Sequence, residues 1–203
     1  MSVAHTGMLH DYGGFAPETY KITYPASGAP DLAQRTADLI KSAGLPTHLD
    51  PKRGFDHGTF APAYVMYPNA EIPIFQISLQ HSYDPAAHFA LGRAIAPLRD
   101  EGVLIVGSRL SYHNLRLFGP GAKAPSAAFD AGLSDTMALH GDQRTNALLD
   151  WDKAPSARIC HPKEDHLVPL FAALGAAEFE PATLTYHDKN IFGGVNASSD
   201  RIG

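Results

Sequence analysis

Eleven histidines stand against sixteen lysines and arginines in this chain. Histidine is the commonest metal ligand and the side chain best suited to moving protons near neutral pH, so those in polar, loop-like settings carry the first candidate chemistry. His113 lies in Ser111-Tyr112-His113-Asn114-Leu115-Arg116, just past a predicted strand. It reads as a ligand or a base and, about equally, as a solvated structural residue. His57 lies in Asp56-His57-Gly58, where Gly54 and Gly58 allow close backbone approach to a ligand. Adjacent Asp and His side chains often point apart, so a plain turn explains this tripeptide as well. His166 ends His161-Pro162-Lys163-Glu164-Asp165-His166, near a predicted helix start. The helix macrodipole accounts for Glu164 and Asp165 there, but not for His166, which points away from the solvent face. His10-Asp11-Tyr12-Gly13-Gly14-Phe15 supplies aromatics and glycines suited to a loop beside a flat ligand, Tyr12 among them. His5, His48, His81, His88, His140 and His187 read as surface or packing residues, and Cys160 as buried bulk.

The elements that must position these residues follow from pattern. The first thirty residues, broken by Gly13-Gly14, Pro17, Pro25, Gly28 and Pro30, read as loop. Asp31 caps a helix that closes at Gly44, and Gly54 to Gly58 is a turn-rich link. Ile72 to Leu79 reads as a strand. Asp84-Pro85 opens a second helix running toward Gly102. Val103 to Val106 is an apolar run typical of a buried parallel strand, delivering His113 beyond its carboxyl end, where sheets of this class bind ligands. Strand, helix, strand makes a right-handed βαβ unit. Helices are expected at 127–139, at 143–150 and from Lys163 to Ala173, and two final strands between Ala182 and Ser198 with a turn near Asp188. The whole reads as α/β, one domain over residues 1–203 with a central, mostly parallel sheet flanked by helices.

Composition narrows the function. Apolar residues make up 44% and charged residues 18%, the balance of a folded globular chain. The net charge of −5, with no basic cluster, argues against nucleic acid. No apolar run approaches membrane-span length, and the N-terminus has no secretory pattern. With Cys160 alone there is no internal disulfide, and a cytoplasmic location is expected. GxSxG, Walker A, GxGxxG and HExxH patterns are absent.

Seven collinear segments cover nearly the whole chain: His10–Tyr20, Tyr24–Pro30, Gly54–Thr59, Met66–Pro73, Leu98–Val106, Ser111–Arg116 and His161–Leu170. On these the chain resembles the class III extradiol ring-cleavage dioxygenases, the LigB-type superfamily, and within it the 4,5-DOPA-extradiol-dioxygenase-like group. The resemblance implies a LigB-like fold and a non-haem metal, Fe(2+) expected and Zn(2+) as the alternative. It places His113 at the metal as ligand or acid/base and makes His166 a metal ligand. It sets His57 at the substrate as a catalytic or lining residue, with Tyr12 beside it. The implied substrates are a catechol and O2. Such a metal is needed because triplet O2 reacts poorly with a closed-shell ring, and open coordination positions are what a facial-triad iron site provides.

Family members carry an HGSP-like and an SAHW-like motif upstream of the HDYGGF-like segment, each with a metal-binding histidine, and neither occurs in this sequence. The chain therefore reads as a member lacking the N-terminal part of the family domain. Arg109 stands where relatives commonly have Gly. A non-catalytic domain that binds a metal or a small aromatic is the alternative function. Two apolar strands short of cover imply a homo-oligomer rather than a monomer.

Overall fold

The computed structural model describes residues 7–203; His5 lies outside them. The chain divides at Ser78/Leu79 into two compact units. Helices and strands mix in the order expected of an α/β protein.

In the first unit, β1 (Met8–Leu9) pairs in parallel with β2 (Phe55–Asp56). Gly54 makes this pairing possible, because a Cβ there would sit 2.9 Å from the Gly7 carbonyl carbon. A 3-10 turn (Pro17–Lys21) and helix α1 (Pro30–Ser42) follow β1, with Ala29 rather than Asp31 in the cap position. The supposed turn-rich link holds β2 and then α2 (His57–Met66), a helix hidden in the sequence by Gly58 near its start and Pro62 inside it. Phe55, Phe60 and Ala63 pack with Tyr24 and Ala26 into a small core.

In the second unit, α3 (Pro85–Ile95) starts as predicted, with the Asp84 carboxylate accepting from the Ala86 N–H at 2.9 Å. It continues into the short α4 (Pro97–Asp100). Then come α5 (Lys123–Met137), α6 (Gly141–Leu149), α7 (Ala157–Cys160) and α8 (Val168–Gly175). The chain ends in an antiparallel hairpin, β3 (Ala182–Ile191) with β4 (Val195–Ile202). Helices α3 and α8 touch through glycines: a Cβ on Gly92 would lie 2.7 Å from Gly175 Cα and would run into the Ala172 carbonyl oxygen. Phe89 and Phe171 stack at 5.5 Å beside this contact, in a core with Phe129, Leu148, Trp151, Leu167 and Leu174. The hairpin is tied to α5 by Asp130, which accepts from Asn196 Nδ2 (3.2 Å) and Ser198 Oγ (2.7 Å).

Several local expectations are corrected. Ile72–Leu79 is not a strand; it makes one bridge, Gly28 with Ile74, because Pro73 has no N–H to give and no second ladder forms there among the described residues. Val103–Val106 forms no ladder among the described residues, and with Leu104 68% and Val106 51% exposed it is not a strand buried on both faces, so the expected βαβ unit is not formed there. The helix expected from Lys163 is split into a 3-10 turn (Glu164–His166) and α8, whose first turn contains Pro169. The final turn falls at Phe192–Gly194 rather than near Asp188.

Candidate functional site

Each unit brings one group of candidate residues together. In the second unit that group is His113, Asp165 and His166. The segment bearing His113 has no regular structure of its own and is laced to α7 instead. The His113 N–H donates to the Cys160 carbonyl (2.9 Å) and Asn114 Nδ2 donates to the Ile159 carbonyl (2.8 Å). His161 Nε2 lies 3.0 Å from the Ser111 carbonyl. A carbonyl only accepts, so His161 carries its proton on Nε2. His161 is fully buried, and burial pushes its pKa down to about 4 despite the hydrogen bond to Ser111, which raises it. It is a neutral strut under the His113 loop.

The 3-10 turn that presents His166 is anchored on both sides. Arg158 grips Glu164 at 2.6 Å, and the next two residues, Leu167 and Val168, are buried in the core. The His113 and His166 rings lie parallel, 3° apart in plane, with centroids 3.2 Å apart. Asp165 Oδ1 lies 3.7 Å from His113 Nδ1, and ligand atoms of all three residues fall within 4.8 Å of one another. Asp165 Oδ1 is buried and takes no hydrogen bond. Buried carboxylate oxygens are normally satisfied; one without a hydrogen bond beside two imidazoles fits a divalent cation, and two histidines with one carboxylate suit non-haem iron or zinc. Asp165 was not among the sequence candidates. Its position beside His166 was the available signal, masked by the macrodipole explanation for first-turn acids.

In the first unit, His57 opens α2 and meets Asp11. One carboxylate oxygen of Asp11 faces His57 Nδ1 at 2.6 Å and accepts the His57 backbone N–H at 3.2 Å. Burial would raise the Asp11 pKa, but the hydrogen bonds from the His57 side chain and backbone outweigh it and hold the carboxyl below its usual value. The strand-to-helix corner before His57 is pinned by Gln76, whose Oε1 accepts from the Asp56 N–H (3.2 Å) and the Thr59 hydroxyl (2.9 Å). The Tyr12 ring packs edge-on to His57 (5.6 Å) and Phe15 (5.4 Å), and its hydroxyl is spent on the Thr19 carbonyl at 2.7 Å. Tyr12 therefore offers a ring face, not a free hydroxyl. Asp11, 46 residues from His57, was not predicted.

Of the histidines set aside, His88 is a buried packing residue, as expected: its Nδ1 meets the Asp84 carbonyl and its Nε2 accepts from the Gln80 N–H. Cys160 is buried as expected, with its thiol pushed up to about 12 by burial.

Comparison with known proteins identifies the family. Residues 1–198 match the family described as the catalytic LigB subunit of aromatic ring-opening dioxygenase. A 4,5-DOPA dioxygenase extradiol of Mirabilis jalapa is 40% identical over 189 residues, covering 91% of this chain and 70% of the relative. One of Beta vulgaris is 39% identical over 173 residues, covering 83% of this chain and 64% of the relative. The chain thus spans about two thirds of the length of these relatives. A solved structure of an uncharacterized protein from Escherichia coli K12 superposes with a TM-score of 0.80 at 30% identity, over 100% of this chain and 82% of that one. By the extent of these matches, the chain belongs to the LigB family.

Proposed function

We propose that the chain carries out the chemistry of an extradiol dioxygenase, opening the aromatic ring of a catechol-type substrate with O2. The observation that carries this reading is the His113–Asp165–His166 cluster, with its bare buried carboxylate oxygen. His113 and His166 would hold the metal, with Asp165 as the oxygen donor beside them. Fe(2+) is the expected ion and Zn(2+) the alternative. When bound, a divalent non-haem iron supplies relief of the spin barrier between triplet O2 and a closed-shell ring.

The chain's own residues do the rest. His57 takes a proton from a substrate hydroxyl and can return one, the work of a general acid/base. Tyr12 presents a ring surface to a flat substrate. His161 and the α7 carbonyls keep the His113 loop from relaxing. The same reading treats residues 1–203 as one catalytic domain, cytoplasmic and self-associating. Among the described residues, no helix is long and apolar enough to cross a membrane.

The test is incubation of the chain with Fe(II), air and either DOPA or protocatechuate, followed by absorbance for the yellow ring-fission product. Colour with one of them supports the reading. Metal binding without colour from a range of catechols removes the activity and favours a binding domain.

A further inference from the structure

We propose that Asp11 is the positioning residue of a proton-handling dyad: it fixes His57 with a proton on Nδ1 and so presents Nε2 as the basic nitrogen. This rests on the reading above that His57 handles a substrate proton, and adds the residue that gives it direction.

Two contacts carry the inference. An ionised carboxylate can only accept, and neutral imidazole has one N–H and one bare nitrogen. With Asp11 Oδ1 2.6 Å from Nδ1, the proton of the neutral ring is on Nδ1 and Nε2 is left bare. The same oxygen takes the His57 backbone N–H at 3.2 Å, so Asp11 grips both the ring and the chain of one residue. A carboxylate with one rotatable ring to hold would orient it only loosely; the second bond sets where the ring stands.

The surroundings leave the pair compensated in charge and open to a substrate. His57 is the first residue of the ten-residue helix α2, whose positive end opposes added positive charge on the ring. Asp11 supplies the compensating charge. Of the charged and titratable groups nearby, Asp56 is engaged by Arg53 at 3.1 Å, His10 Nε2 is bonded to the Ile22 carbonyl, and the Tyr12 hydroxyl to the Thr19 carbonyl. Tyr20 lies against Tyr12, with ring centroids 5.2 Å apart. The His57 side chain keeps 37% of its surface exposed, so a hydroxyl has access to the ring. In the step implied, the O–H bond of the substrate hydroxyl breaks, its proton moves to Nε2, and the electron pair stays on oxygen. The imidazolium then holds two N–H groups, one of them on Asp11.

The experiment is long-range 1H–15N correlation of the full chain labelled with 15N-histidine, at a pH where the ring is neutral, with His57→Gln identifying the His57 signals. The expected result is the Nδ1–H tautomer in the unsubstituted protein. Asp11→Asn should lower the ratio of Nδ1–H to Nε2–H by about tenfold, since it removes a charge-assisted bond, and Asp11→Glu should restore part of it. A purely structural role for Asp11 would change stability and leave the tautomer ratio alone. The inference is overturned if neutral His57 carries its proton on Nε2 in the unsubstituted protein, a reading that needs no variant to fold. It is overturned equally if folded Asp11→Asn keeps the original ratio. These spectra require neither metal nor catechol, so an inactive chain with the Nδ1–H tautomer would sink the proposed function and not the dyad.

Discussion

His57 and His161 carry the same ring into opposite surroundings. His57 has more than a third of its side chain exposed and a carboxylate at 2.6 Å. His161 is wholly buried, against Phe129 (5.2 Å) and Trp151 (6.1 Å), with the Ser111 carbonyl as its hydrogen-bond partner and carboxylates acting on it only from a distance. A carbonyl fixes a tautomer but cannot compensate a charge, so burial wins and His161 stays neutral down to about pH 4. Asp11 brings a compensating charge and leaves one nitrogen reachable. Partner and exposure, rather than residue type, decide whether a histidine is locked neutral or left able to take a proton.

The largest test of that contrast concerns metal. His166→Ala should weaken Zn(2+) binding, read by competition with a chromophoric chelator, by more than about a hundredfold, because even the outer partners of metal ligands are worth 10–100-fold. His57→Ala should leave it unchanged, and an equal loss in both would end the distinction between the two groups. Next is pH. The unfolded chain protonates His161 near its ordinary 6.5, the folded chain only near 4. The unfolded state therefore binds the extra proton between these values, so stability falls as pH drops from 6.5 toward 4 and is unaffected above 6.5. The loss should reach about 3 kcal/mol, at 1.36 kcal/mol per pKa unit, followed through Trp151, the one tryptophan. His161→Gln should flatten that slope; a slope that persists would assign it elsewhere.

A smaller effect is expected of Gly92→Ala. Its Cβ has no room at the α3–α8 contact, and overpacking of this kind costs about 2 kcal/mol. Urea unfolding seen by Trp151 should shift while the His57 tautomer signals stay in place. Smallest is Arg93→Ala, which removes a two-pronged grip on Glu178 at 2.6 Å but leaves the Thr145 hydroxyl bond to it. About 1 kcal/mol is expected in the same denaturation experiment.

The sequence made the second unit's candidate histidines legible because His113 and His166 sit in short segments whose polar neighbours stand out against apolar runs. It made the pairing of Asp11 with His57 illegible, since one follows β1 and the other opens α2, 46 residues on, and nothing local records that β1 and β2 align side by side. Asp165 was visible but had a sufficient explanation as a helix-start acid. The Asp84 cap and α3 were readable because a cap is a local event. Val103–Val106 has the residues of a strand, but a ladder needs a neighbour, and β-branched composition says nothing about whether one is present. α2 went unseen because Pro62 disrupts the periodic signal without preventing a helix whose apolar residues have a core to join.

Cys160 holds the N–H of His113 with its own carbonyl, while its thiol donates to the Pro125 carbonyl at 3.3 Å. With the thiol pushed up to about 12, almost no thiolate exists at neutral pH, and thiolate is the species that alkylating reagents attack. Iodoacetamide should therefore modify the chain only in the moments when α7 and the His113 loop come apart. Its rate is a clock for the opening of the His113 loop, readable by mass on a single site, and any divalent ion that joins His113 to His166 should slow that clock in proportion to its occupancy.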